Sequence, residues 1–399
     1  MISTDTFFER PKSWSLIKYI ILDKYLSAYL PKVNQQYHSP AIIADLFAGR
    51  GKFEDGTEGS PIIIAKHART YRHKLGYNNR VILSELIDAD RIQLTDNMRE
   101  FIEGGIVEII PGDAANVGQY LLKTIPQGVP LFLFLDPFGI KGLSMELLFQ
   151  VFLRAKKEST ELLINFNHRA IPRLIGICHN LQSKNSAIRK QAETIKEIVN
   201  DSMGGEWWLE IIESKSIPEE DKAKMIRIKY LEPFRKSFNW LCSIPVTTGI
   251  GDEDVKYYLI FASQSQVAIE LMNDNVIEAK RKVLLGEIEN HNVGTLFENS
   301  DPNQFIRKHT QQDSERLPRI IAEEARLVAQ YKCGTNGDPY CVVMTRPEIR
   351  ARLLKRQFAR FTKREYNEAI KNLLEIGDLV AENGSVRISD EKGIKLVKR

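Results

Sequence analysis

Five short apolar runs, at 41–46, 81–85, 107–110, 131–135 and 162–166, are each separated by a stretch long enough for a helix. No other feature restricts the fold of this chain so far. Strands covered by helices on both faces read as continuously apolar, so the alternation predicts a mainly parallel α/β sheet, Rossmann-like, with helices on both sides. Right-handed crossovers bring all five strand ends to one edge, and ligands of such sheets bind at that edge. Local signals agree with the scheme. Ser60 and Pro61 open a helix ahead of the apolar 62–65, and Ser144 opens one before 145–152.

Ahead of the first strand, Trp14, Ile17, Ile20, Ile21, Tyr25 and Leu26 repeat at helical spacing over 13–30, an amphipathic helix that needs a larger body to cover it. Residues 171–238 are helical and charged, with candidates at 187–199, 205–212 and 219–238, and read as an insertion. Strands at 240–246 and 255–262 then extend the sheet as an antiparallel pair, and a helix follows over 267–285. The first domain is therefore 1–295. A polar linker at 296–314, containing Asn299, Ser300, Asp301 and Pro302, leads to a second domain at 315–399. There the pattern predicts a helix at 320–328 and a strand at 340–344. Two further helices each open on a capping box, Thr345 with Glu348 and Thr362 with Glu365. Gly377 stops the second, and a hairpin of 379–382 and 386–388 turns at Asn383 and Gly384 in a type I′ turn. Helix, helix, helix, hairpin is the order of a winged helix.

At 399 residues the chain is too long for one compact core, while 43% hydrophobic and 27% charged residues exclude wholesale disorder. No apolar stretch approaches the roughly 20 residues that cross a bilayer, and residues 1–13 lack a signal-peptide core, so a soluble cytoplasmic protein is expected. Four cysteines without C-x-x-C spacing indicate neither a disulfide framework nor a zinc cluster. H-E-x-x-H and G-x-S-x-G are absent, so metallohydrolase and serine-hydrolase chemistry has no support.

The sharpest signal follows the first strand, where Asp45, Phe47, Ala48, Gly49 and Gly51 turn out of an apolar run. Glycines at 49 and 51 let the backbone approach a ligand closely. A P-loop is disfavoured, because Leu46 stands at its first glycine and Phe53 at its magnesium-binding Ser/Thr. A dinucleotide fingerprint needs a third glycine where Glu54 stands, and Glu54 with Asp55 would repel a pyrophosphate. S-adenosylmethionine suits an acidic turn better, since its sulfonium is cationic and it has no phosphates. The next strand ends at Glu85, whose carboxylate can accept two ribose hydroxyl hydrogen bonds. The third ends at Asp113 and Ala114, placed for an adenine amino group, and the fourth at Asp136, Pro137 and Phe138, facing the methyl donor. Acids that merely cap strands and glycines that merely turn are the plain alternative for each alone.

The string LFAGRGKFEDGTEGSP at 46–61, GDA at 112–114, LDPFG at 135–139, LLINF at 162–166, and YYLIFAS with ELMND within 257–274 together resemble the three-Cys-motif partner proteins. The resemblance covers most of the chain from Trp14 onward. It implies a class I methyltransferase domain with a C-terminal winged helix, S-adenosylmethionine as cofactor, and a separate protein partner that carries the three-cysteine motif. Matched by position, Asp45, Gly49 and Gly51 fall on the donor loop, Glu85 on the ribose acid and Asp113 on the adenine-side acid. Asp136, Pro137 and Phe138 resemble the D-P-P-Y signature of methyltransferases that modify exocyclic amino groups. In that chemistry the Asp side chain and the Pro carbonyl accept hydrogen bonds from the target nitrogen while an aromatic stacks on the flipped base. Here the second proline is missing, and Gly139 stands at the aromatic place. The expected function is methylation of DNA or RNA. The alternative, motivated by the imperfect signature, is a non-catalytic methyltransferase-fold subunit that delivers another enzyme to nucleic acid. A nicotinamide-dependent oxidoreductase using the same edge is a third reading.

Net charge is only +4, yet nine Lys/Arg face three Glu between 346 and 371, a local +6. Lys363, Arg364, Asn367 and Lys371 lie opposite the apolar stripe of their helix, and Arg356 and Arg360 crowd the preceding helix and turn. In a helix-turn-helix derivative the second helix enters a major groove and its neighbours contact phosphates, so DNA or RNA is the expected partner. A solvated charged face or a protein-binding face is the alternative. His168 and Arg169 could border the substrate cleft, and Trp207 and Trp208 read as filling a helical core.

Overall fold

The computed structural model describes residues 13–167, 169–171, 176, 179–247, 255–292, 302–334, 338–385 and 389–397. Contacts divide the chain into two units, Met1–Ala268 and Ile269–Arg399. The division falls inside a helix, upstream of the 295 boundary expected from composition. Residues 302–314 of the expected linker are helical, and 293–301 lie outside the described residues.

The first unit alternates as its pattern dictates: α1 (Ser13–Tyr37), β1 (Ile42–Asp45), α2 (Ser60–Leu75), β2 (Arg80–Glu85), α3 (Asp88–Glu103), β3 (Val107–Pro111), α4 (Ala114–Thr124), β4 (Leu131–Leu135), α5 (Met145–Ala155) and β5 (Thr160–Phe166). The sheet order is β3-β2-β1-β4-β5-β7-β6, completed by β6 (Trp240–Thr247) and β7 (Val255–Ser263). Strands β1 to β5 are parallel, and β7 runs antiparallel to both β5 and β6. The architecture is therefore mixed α/β on a seven-stranded, Rossmann-like sheet. All five residues of β4 are buried, because helices cover both of its faces. Leu131, Leu133 and Leu135 meet Leu147, Leu148 and Val151 of α5. Phe132 points the other way, against Tyr25 of α1 at a ring separation of 5.6 Å. Each such buried side chain contributes roughly 1.5–3 kcal/mol.

Helix α1 continues past Leu30 to Tyr37 with Pro31 inside it. The proline removes the N–H that would bond the Ser27 carbonyl four residues back. The Tyr71 hydroxyl of α2 donates to that carbonyl instead.

The insertion consists of α6 (Ser186–Met203), α7 (Trp207–Glu213), α8 (Glu219–Tyr230) and α9 (Glu232–Ser237), so the third expected helix is two, with Pro233 in the first turn of the last. Its core joins that of the sheet through Phe152 on Phe234, 4.8 Å apart, and Phe166 on Tyr230, 4.7 Å apart. Trp208 is buried, and both indoles are hydrogen-bonded within the insertion: Trp208 to Asn200 at 2.9 Å and Trp207 to the Met203 carbonyl at 2.8 Å.

The second unit comprises most of α10 (Gln266–Asn292), then α11 (Pro302–Cys333), α12 (Arg346–Gln357), α13 (Lys363–Glu375), β8 (Leu379–Ala381) and β9 (Ile394–Leu396). Both capping boxes form. The Thr345 and Thr362 hydroxyls accept the Glu348 and Glu365 N–H at 3.4 and 3.2 Å, and both glutamates return the bond. The strand expected at 340–344 is instead a 3-10 turn, Pro339–Cys341, followed by a single antiparallel bridge from Met344 to Ile394. The strand that pairs with β8 is β9; the expected partner at 386–388 lies outside the described residues. The turn after β8 is not type I′. Gly384 donates to the Ala381 carbonyl at 2.9 Å with φ +70°, while Asn383 is not in the left-handed region that a type I′ turn requires.

Arg350 is 1% exposed in this unit. Its guanidinium donates to Glu270 at 3.2 Å, to Asn367 at 3.0 Å, and to both oxygens of Asp390 at 3.0 Å. That set ties α10, α12, α13 and the segment before β9 to one charge.

Candidate functional site

The strand order reverses between β1 and β4, and the residues at that switch point are Asp45 and Asp136. Asp45 is fully buried, and one of its oxygens accepts the Phe47 N–H at 3.1 Å. Burial pushes its carboxyl up to about 7, opposed by the nearby Ser60 hydroxyl and by the Phe47 N–H. Among the described residues, no hydrogen bond of ordinary geometry reaches its other oxygen, Oδ2.

The loop that leaves β1 takes the shape its glycines permit. Gly49 has φ +59° and Gly51 φ +78°, and a Cβ on Gly51 would stand 3.0 Å from Leu94. The Ala48 N–H reaches the Ser84 carbonyl at 3.0 Å, and the Gly49 N–H reaches Glu85 Oε2 at 2.9 Å. Glu85 Oε1 accepts the Ile87 N–H, also at 2.9 Å, which leaves spare lone pairs on both oxygens. Between the glycines, Arg50 pairs with Asp90 of α3 at 2.7 Å, and Asn97 donates to the Arg50 carbonyl at 2.8 Å. The loop is thus tied to β2 and to α3. At the end of β3, Asp113 caps α4 by accepting the Asn116 N–H at 2.9 Å, and Ala114 is buried behind it. The structure therefore brings Asp45, Phe47, Ala48, Gly49, Gly51, Glu85, Asp113 and Ala114 to one edge of the sheet.

Asp136 is held from two sides. Lys18 of α1 forms a buried ion pair with its Oδ2, and Asn165 of β5 donates to its Oδ1 at 2.7 Å. Burial alone opposes the Lys18 charge, but the Asp136 carboxylate outweighs it and raises the ammonium above the usual lysine range. Tyr19 and Tyr257 belong to the same cluster, and burial raises both phenols above the ordinary tyrosine value. Pro137 is buried, whereas the Phe138 ring is 75% exposed. Sequence reasoning missed Lys18, Tyr19, Asn165 and Tyr257. One signal was readable: Lys18 lies on the stripe of Ile17, Ile21, Leu22 and Tyr25, and a lysine on a buried stripe calls for a partner. His168 lies outside the described residues, and Arg169 donates to the Val255 carbonyl at 3.3 Å.

In the second unit, most of the cationic residues singled out above meet acids. Arg356 pairs with Glu324 at 2.7 Å, Lys363 with Glu270 at 3.0 Å, Arg364 with Glu368 at 2.9 Å, and Lys371 with Glu375 at 3.2 Å. Arg360 bonds Gln357 at 2.9 Å, and Asn367 accepts from Arg350.

Two buried carboxyls make a pH prediction. Like Asp45, Glu161 is pushed up to about 7 by burial, against the hydroxyls of Tyr25 and Ser263 that bond it. Between about pH 4 and 7 the native state keeps protons that the unfolded chain has released, so stability falls as pH rises through that window. Each group costs on the order of 3–4 kcal/mol over the whole window. Thermal unfolding from pH 5 to 8 is expected to show a declining midpoint, with roughly half of the slope removed in Glu161→Gln. A flat parent profile contradicts this.

No family model matches this sequence, and no curated protein matches it either. Among solved structures the chain is similar to an O-methyltransferase from Bacillus cereus in complex with SAH, at 11% identity and a TM-score of 0.33, over 65% of this chain and 94% of that one. It is similar to the fibrillarin pre-rRNA processing protein of Methanococcus jannaschii at 13% identity and a TM-score of 0.27, over 56% and 66% of the two chains. It is also similar to an RNA methyltransferase from Salinibacter ruber in complex with S-adenosyl-L-homocysteine, at 16% identity and a TM-score of 0.20, over 35% and 74%.

Proposed function

We propose that the chain is an S-adenosylmethionine-dependent methyltransferase acting on nucleic acid, with a winged-helix second unit as its targeting module. One arrangement carries the reading. The two left-handed glycines, the first clipped to Glu85, lead away from the switch point where Asp45 keeps a buried oxygen without a partner among the described residues. A cationic, phosphate-free nucleoside fits these residues: the spare lone pairs of Glu85 suit ribose hydroxyls, and the carboxyl oxygens of Asp45 and Asp136 line the side where a sulfonium would lie. When bound, the cofactor supplies an electrophilic methyl. The residues of the chain contribute position: the tied loop fixes the donor, and Asp136, Pro137 and Phe138 shape the acceptor side. A dinucleotide sheet runs 3-2-1-4-5-6. The reversed β7 beside β5 and the missing third glycine argue against the nicotinamide reading.

The winged-helix reading is supported by three helices followed by a strand pair whose inner strand, β9, also bridges Met344. Arg356, Arg360, Arg364 and Lys371 are exposed on it. Exposed i,i+4 pairs are worth only about 0.3–0.5 kcal/mol, so phosphates can displace Glu368 and Glu375. Lys363 and Asn367 are bound to the Arg350 network and shape the helix. The engagement of both Asp136 oxygens favours a second reading, a non-catalytic subunit that works beside a separate three-Cys-motif partner.

Calorimetric titration with S-adenosylmethionine, followed by transfer of labelled methyl to RNA and DNA pools, tests both readings. Saturable donor binding with transfer lost in Asp136→Ala supports the enzyme. Binding without transfer supports the subunit, and no binding up to millimolar donor removes the enzyme.

A further inference from the structure

We propose that the acceptor atom is a hydroxyl oxygen rather than an exocyclic nitrogen, and that Lys18 is the catalytic residue that selects it. The inference rests on the methyltransferase reading above and departs from the amino target that the D-P-P-Y likeness suggests.

A target amine needs acceptors arranged around its hydrogens. Here a donor stands among the acceptors: Lys18 is 6% exposed and reaches Asp136 from α1. An ammonium carries three N–H groups, more than its bonds to Asp136 and to the Tyr19 hydroxyl consume. Beside it Asn165 spends its amide N–H on Asp136, and its carbonyl Oδ1 is buried with no partner among the described residues. A spare donor next to an unpartnered acceptor matches a hydroxyl, which accepts one hydrogen bond and donates another.

Charge development points the same way. A nitrogen that attacks a methyl sulfonium becomes positive, and a fixed ammonium beside it opposes that change. A hydroxyl has to give up its proton to reach a neutral ether, and the negative charge that breaking the O–H bond places on oxygen is stabilised by the same ammonium. Burial of the pair strengthens both effects.

In the step, an oxygen lone pair forms the new O–C bond while the C–S bond breaks, its electron pair staying on sulfur as a neutral thioether. The hydroxyl hydrogen turns from Asn165 Oδ1 to a spare lone pair of the Asp136 carboxylate, which takes the proton and passes it to water. Internal nucleotides of DNA carry no free hydroxyl, whereas those of RNA carry the ribose 2′-hydroxyl, so the substrate is RNA.

The test combines product analysis with donor binding. Total RNA and genomic DNA are incubated with the full-length protein and labelled S-adenosylmethionine, then digested to nucleosides. Label in 2′-O-methyl nucleosides of RNA and none in DNA supports the proposal; label on a base nitrogen, or in DNA, overturns it. Independently of turnover, affinities for S-adenosylmethionine and S-adenosylhomocysteine are compared by calorimetry in the parent, in Lys18→Met and in Lys18→Arg. Losing the ammonium leaves Asp136 unopposed, so the ratio of affinities is expected to move about tenfold toward the cationic donor in Lys18→Met. Lys18→Arg is expected to keep the parental ratio but to lose transfer at unchanged donor affinity. An unmoved ratio in folded Lys18→Met overturns the proposal, as does full transfer by Lys18→Arg if Lys18→Met does not fold. Absent donor binding in the parent is a different failure and removes the methyltransferase reading itself.

Discussion

Replacing Glu85 with glutamine is expected to weaken S-adenosylmethionine binding about a hundredfold while leaving the fold intact. The size follows from what this carboxylate does at once. Its two oxygens accept the Gly49 and Ile87 N–H groups, and in the proposed complex they also face the ribose hydroxyls. An amide has only one acceptor oxygen, so in either orientation its NH2 confronts a backbone N–H. The loop loses its clip to β2 and the ribose loses part of its cradle. Hydrogen bonds to charged groups are worth about 1.5–3 kcal/mol each, and two of them give the expected factor. Calorimetry with the variant beside the parent checks it, and Asp113→Asn, where an N-cap is conserved by asparagine, serves as the mild comparison. A change below threefold in Glu85→Gln places the donor elsewhere.

Arg350→Met is expected to destabilise the second unit by about 3 kcal/mol, the lower end of what breaking a buried ion pair costs. Glu270 is 6% exposed and would lose the Arg350 guanidinium, keeping Lys363 at 3.0 Å. Asp390 would lose its bidentate partner and keep Arg346 at 3.0 Å. A unit of this size responds with a fall of about 10 °C in its melting midpoint. Arg364→Ala, which removes only an exposed i,i+4 pair, is expected to shift the midpoint by less than a degree or two. Differential scanning calorimetry separates the two cases. Equal midpoints for Arg350→Met and the parent would show that the network carries no stability.

The contrast between these residues explains what could be read from the chain in advance. Strands β1 to β5 follow from apolar runs bounded by turn residues, and their ends fix which side chains reach the edge, so Gly49, Glu85, Asp113 and Asp136 were legible. Both capping boxes were legible because they are local, spanning three residues. The partners of charges were not. Lys18 and Asp136 are 118 positions apart, Arg350 and Glu270 80 apart, and no short-range pattern joins them. The expected strand at 340–344 failed for a related reason: only Met344 finds a partner, on β9, and that partner is set by the tertiary fold. The type I′ turn failed because Asn383 and Gly384 also suit a turn in which only the glycine is left-handed.

The pairing of Arg356, Lys363, Arg364 and Lys371 with carboxylates has a kinetic consequence. At distances beyond a side chain, a one-to-one couple such as Arg364 with Glu368 or Lys371 with Glu375 projects a dipole whose field dies away faster than that of a lone cation. A polyanion diffusing toward the second unit therefore feels little pull until it is nearly touching. Encounter proceeds at the unsteered pace of neutral surfaces, and discrimination among ligands falls to how long they stay.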